Sequence, residues 1–375
     1  MVSRFGIRAG LVGCAAVMAG LLGATCELAP GELPPPIDAG EQLKAEYVVA
    51  GAAKPSALAF APDGRVFYTE KETGRLRVIA DDVLLEAAVA EVPVNFAGDR
   101  GLLGVAVHPR FEDNGRVYVF YSRSDSGASS DAQAVVDNRV VYFEVVDNVA
   151  SGGEVFVASM PADIGETRVG GRITFAPDGT LLVGLGDLTD DASAQSATAL
   201  NGKILRYNDD GSIPGNNPGT GSPVYARGLR FPRGIAFDPT NGDIYATEQN
   251  DGTAHEVNRI RSSSNYGWPE VVGSAGRAGF TDPVFFSGER VDIAGGSFNP
   301  STRYGPGPRF NYFFGDASRR TVVMLEFNAR RIAERTSVFL GNFPSNITDV
   351  AFTPAGALYV ACEDAIFRIV GTRTN

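Results

Sequence analysis

The chain has 375 residues, 44% of them hydrophobic, with 45 Gly and 22 Pro. That apolar share excludes global disorder, and the Gly and Pro content fits a fold with many tight turns. The 33 Lys and Arg against 44 Asp and Glu leave a formal charge of −11, which argues against a nucleic-acid binder, because phosphate affinity needs a basic patch.

Arg4 and Arg8 open the chain, an apolar stretch runs from Ala9 to Ala24, and Gly23, Ala24 and Thr25 precede Cys26. Positive start, apolar middle and small-residue end follow the order of a secretory signal, so residues 1–26 are expected to direct export. Cys26 followed by Glu-Leu-Ala-Pro-Gly-Glu looks like a lipoprotein start. The product is therefore expected to be periplasmic, extracellular or held at the envelope by an N-terminal lipid. Residues 27–44 are rich in Pro, Gly and Glu and read as a linker. Beyond the signal, Cys362 stands alone, which excludes an internal disulfide. His108, His255 and Cys362 are not at zinc-ligand spacing.

Residues 45–371 carry one recurring element: an apolar triplet, a Pro-containing turn with Asp or Gly, and a second strand. It occurs at Leu58-Ala59-Phe60-Ala61-Pro62-Asp63-Gly64 and again around Pro109, Pro177, Pro239, Pro300 and Pro354. Each copy reads as a β-hairpin whose Asp-Gly or Asn-Gly supplies positive φ angles. A lone hairpin is marginal, so such units must stack or close into a ring. The expected fold is all-β, a six-bladed β-propeller, with Tyr47-Val48-Val49-Ala50 supplying the strand that closes the ring on the last blade. The aromatic residues Tyr118, Phe120, Tyr121, Phe313 and Phe314 follow strand spacing and read as core, as does Trp268.

Five stretches occur in a telling order: DRGLLGVAVHPRF (99–111), GGRITFAPDGTLLVGLGD (170–187), LNGKILRYNDDGSIPGNNP (200–218), ARGLRFPRGIAFDPTNGDIYATEQ (226–249) and HEVNRIRSSSNYGWPE (255–270). Together they resemble the glucose/sorbosone dehydrogenase family, soluble quinoproteins that use pyrroloquinoline quinone (PQQ) and calcium. The resemblance implies a six-bladed propeller with a cofactor cleft at one end. It also implies a His that takes a proton from the sugar while hydride passes to the quinone.

Carried over position by position, the resemblance places that His where Arg168 stands. An arginine stays protonated at ordinary pH and cannot act as a base, which leaves Asp99 as the other candidate. Arg230 matches a carboxylate-binding Arg of the family, with Phe231 at the place of an Asn. Near the C-terminus the family's Arg-x-Arg pair is Asn346 and Thr348 here, ahead of Asp349-Val350. The expected cofactor-binding residues are Arg230, Arg168 and Asp99. The resemblance puts calcium at Asn250, Asp251, Glu256 and the Tyr266 carbonyl. Asp187, which ends a strand, is read as turn-stabilising and as a partner for Arg168. The implied ligand is a sugar or an anionic small molecule. Two readings follow: a PQQ-dependent sugar dehydrogenase-like propeller with a degenerate site, or a non-catalytic envelope propeller that binds a carbohydrate, an anion or a protein.

Overall fold

A strand buried on both faces needs apolar side chains throughout, or polar ones that find partners inside. Val66–Glu70, Leu181–Leu185, Tyr312–Asp316 and Leu358–Cys362 are of this kind, with every residue buried. Each forms the second strand of a small antiparallel sheet. The computed structural model describes residues 37–38 and 43–371, apart from positions 133, 163, 164, 253, 254, 289 and 290. The expected signal segment and most of the linker lie outside the described residues.

Among the described residues the strands form six antiparallel sheets. Their innermost strands are Pro55–Phe60, Leu102–Val107, Gly170–Phe175, Pro232–Phe237, Ile293–Phe298 and Ile347–Phe352, which begin blades 1 to 6 in turn. Each inner strand packs on the next, and that of blade 6 packs on that of blade 1, so the ring is closed. The approach is close. A Cβ on Gly104 of blade 2 would lie 2.2 Å from the Gly171 carbonyl oxygen of blade 3, a distance only glycine allows.

Closure is completed by Lys44–Ala50, which pairs antiparallel with Ala365–Val370 and gives blade 6 its outer strand. Tyr47 lies opposite Phe367 with ring centroids 4.4 Å apart. The core is accordingly a ring of six apolar layers, one between each pair of neighbouring blades. Tyr118, Phe120, Tyr121, Phe313 and Phe314 all lie in these layers.

All six hairpins link the first and second strands of a blade, but their turns differ from the expected form. In blades 1 and 3 the backbone bonds run from Ala61 to Arg65 and from Ala176 to Thr180. Positive φ falls on Gly64 and Gly179 alone, not on Asp63 or Asp178. The aspartates instead accept the backbone N–H of Arg65 (3.1 Å) and Thr180 (3.0 Å), a side-chain mimic of a backbone turn.

Candidate functional site

One end of the propeller gathers the residues that lead into the inner strands and those that leave the second strands. Asp99, Arg168 and Arg230 belong to the first group; Lys71, Asp187 and Asp251 belong to the second. Shared topology, rather than nearness in sequence, brings them to one face.

Arg168 sits at φ 61°. Its backbone N–H donates to Asp99 Oδ2 at 2.6 Å, and its guanidinium meets Asp191 at 2.9 Å and Asp187 at 3.1 Å. Asp187 is fully buried. It also accepts from Trp268 Nε1 (2.8 Å) and from the Thr189 N–H (3.0 Å). Burial pushes its carboxyl up to about 6, against the opposing pull of Arg168. Because the folded state holds this proton more tightly than the unfolded chain does, the stability that this group contributes is present at low pH and is lost as pH rises through about 6.

Trp268 is the chain's single tryptophan and bonds directly to Asp187, so its emission reports that titration. A pH titration of intrinsic fluorescence is expected to show a midpoint near 6 that Asp187→Asn removes. A midpoint in the ordinary carboxylate range would mean that Arg168, not burial, governs the group.

The loop between Asp187 and Asn201 is fixed by Lys203, which is fully buried. Its ammonium donates to the carbonyls of Ser193 (2.7 Å), Ala194 (3.0 Å) and Asn201 (2.9 Å).

Arg230 continues the network. Its carbonyl accepts the Asp187 N–H at 2.8 Å, and its guanidinium donates to the Gln249 carbonyl (3.2 Å) and to Asp251. It lies 5.2 Å above the Trp268 ring, and its Nε is buried without a partner. Behind it, Glu248 and Glu256 face each other across adjacent strands. Burial raises both carboxyls, and each lies within reach of the Asn258 amide, at 2.8 and 3.1 Å. Glu256 also accepts the Gly273 N–H at 2.6 Å and a bond from Asn250.

The four residues expected to bind calcium thus divide. Through their side chains Asn250 joins Glu256 and Asp251 joins Arg230, while Tyr266, expected through its carbonyl, is buried. Among the described residues no group of three or more His, Cys, Asp or Glu side chains is placed to hold a cation. Trp268, expected only as core, is a member of this polar network.

On the propeller axis the same face opens into a cavity of about 250 Å³. Lys54, Lys71, Arg172 and Arg233 line it together with Asp99, Glu363, Phe231 and Thr348. None of these cations stood out in the sequence as a site residue. The available signal was their shared place in the repeat, at the start of an inner strand or the end of a second one. Below the cavity, Arg172 of blade 3 pairs with Asp349 of blade 6 at 2.8 Å. Arg172 also donates to the carbonyls of Arg233 (3.2 Å) and Ser56 (3.3 Å), while Asp349 accepts the Leu58 N–H at 2.9 Å. One ion pair thereby ties blades 1, 3, 4 and 6 across the axis.

The model of one protein family, glucose/sorbosone dehydrogenase, matches residues 52–370. The chain belongs to this family. It is similar to the aldose sugar dehydrogenase YliI of Escherichia coli, 27% identical over 83% of this chain and 87% of that protein. Among solved structures, a putative oxidoreductase (glucose dehydrogenase) of Thermus thermophilus superposes with a TM-score of 0.76. It is 30% identical and covers 88% of this chain and 100% of its own. The PQQ-bound aldose sugar dehydrogenase of Streptomyces coelicolor gives 0.75 at 25% identity, over 88% of this chain and 99% of that one. The glucose/sorbosone dehydrogenase fold thus accounts for nearly all the described residues.

Proposed function

We propose that this chain is a sugar dehydrogenase-like propeller with a degenerate active site. It presents a cleft for a sugar or anionic small molecule at the cell envelope, without the base that aldose oxidation needs. The observation that carries this reading is the clamp on Arg168. The residue at the expected base position is a cation held by Asp187 and Asp191, and arginine does not give up its proton in proteins. Asp99, the other candidate, already accepts the Arg168 N–H.

PQQ carries three carboxylates, which Lys54, Lys71, Arg172 and Arg233 would attract and Asp99 and Glu363 would oppose. What the set lacks is the base for that cofactor's reaction, since Arg168 stands at its place, and no step is assigned to it. Calcium needs about six to eight oxygen ligands, and the Asp251 and Glu256 carboxylates are engaged by Arg230 and by Asn258 and Gly273 instead. The propeller tolerates this loss because its core lies between the blades and not in the loops. The N-terminal signal pattern supports placement outside the cytoplasm.

The test is to add PQQ and calcium to the purified protein, assay dye reduction with a panel of aldoses, and titrate PQQ by absorbance. The expected result is no aldose-dependent reduction. Turnover that disappears with Arg230→Ala would overturn the reading.

A further inference from the structure

Two cations in the axial cavity, Lys71 and Arg233, make no salt bridge among the described residues, although the Asp99 and Glu72 charges act on Lys71. Arg233 makes no ion pair or side-chain hydrogen bond among the described residues, and its guanidinium rests 4.9 Å over the Phe231 ring. Lys71 spends one N–H on the Gly98 carbonyl at 2.7 Å, which leaves two donors. Burial lowers the pKa of its ammonium against the opposing pull of Asp99 and Glu72, with Arg233 and Lys54 adding smaller repulsions. On the same lining, the Thr348 hydroxyl is buried without a partner. Neighbouring half-buried cations and an unmet buried hydroxyl gain when an anion joins them. A guanidinium fork beside an ammonium matches a carboxylate.

The rest of the lining narrows the ligand. Asp99 keeps one oxygen beyond its bond to Arg168, and Glu363 stands on the same cavity wall. Carboxylates accept bonds from hydroxyl groups and repel a second anionic group. Phe231 offers an apolar ring face. The volume of about 250 Å³ lies below the roughly 300–1,000 Å³ of sites that bury drug-sized ligands. A compact molecule with one carboxylate and several hydroxyls meets all of these conditions.

We propose that the axial cavity binds a monocarboxylate sugar acid, its carboxylate seated between Lys71 and Arg233 and its hydroxyls turned toward Asp99 and Glu363. The site stands whether or not aldoses are oxidised, so the dye assay and the binding assay can fail separately.

The experiment is calorimetric titration of the intact protein with D-glucuronate, glucose and inorganic phosphate. D-glucuronate is expected to bind at least about tenfold more tightly than either of the others, the carboxylate adding charge-assisted bonds that glucose lacks. Arg233→Gln and Lys71→Met are each expected to weaken it by about tenfold or more at unchanged melting temperature. Arg335→Gln, an exposed change in blade 5, is expected to leave it unaltered. Equal binding of D-glucuronate and glucose would overturn the proposal, as would full affinity in Arg233→Gln. Phosphate binding as tightly as D-glucuronate would overturn it in favour of an inorganic oxyanion site.

Discussion

Replacing Asp349 with alanine is expected to destabilise the protein by about 3–5 kcal/mol, the usual cost of stranding one member of a buried ion pair. Side-chain exposure is 11% for Arg172 and 6% for Asp349, so the pair is largely withdrawn from water. The change also strips the Leu58 N–H of its acceptor. Gly295→Ala should act on the same pair from the side, because its Cβ would fall 1.9 Å from Asp349 Oδ1. Urea unfolding followed by circular dichroism measures both. A loss below about 1 kcal/mol for Asp349→Ala would place the pair among weak surface contacts. Because Arg172 also lines the axial cavity, ligand affinity should fall together with stability.

Lys203→Met is the second large effect. The methionine fills similar space but takes the buried donor from the Asn201 carbonyl and leaves the Ser193 and Ala194 carbonyls with only the N–H groups of Ser196 and Gly228. At about 1–3 kcal/mol for the one unmet carbonyl, with two more weakened and the buried charge relieved, a net loss of about 2 kcal/mol is expected. The ammonium itself is pushed down to about 8 by burial. The damage should spread to the loop that holds Asp187 and Asp191, and so to the Arg168 clamp. The readout is therefore double: a lower urea midpoint, and altered Trp268 emission even where the protein remains folded. Lost stability with unchanged emission would confine Lys203 to a local role.

The hairpins were legible because the same physical demand, a reversal after an apolar inner strand, is met six times by similar residues around a proline. The closing strand at Tyr47–Ala50 was legible because a ring of hairpins leaves one edge to cover. Turn detail was not legible: Asp63 caps Arg65 through its side chain, and only Gly64 takes positive φ. The axial cavity was hidden for a different reason. Lys71, Arg233 and Thr348 come from blades 1, 4 and 6, and no linear motif records which residues meet around an axis. The loss of two guanidinium groups at Asn346 and Thr348 suggested a site poor in cations, yet Arg233 and Lys71 line the same cavity as Thr348. The Asp251 contact with Arg230 was hidden in the same way, because a carboxylate reads alike whether it faces a metal or a guanidinium.

The strand Lys44–Ala50 lies against Ala365–Val370, so the two ends of the propeller meet in one sheet. The ring therefore has no order of assembly in which it can finish early. Blades 1 to 5 are made of neighbouring hairpins and can pair as they are synthesised, but the clasp must wait for the last strand. Contacts of such long sequence separation form slowly. A polypeptide built this way cannot close its ring until its last strand has been made.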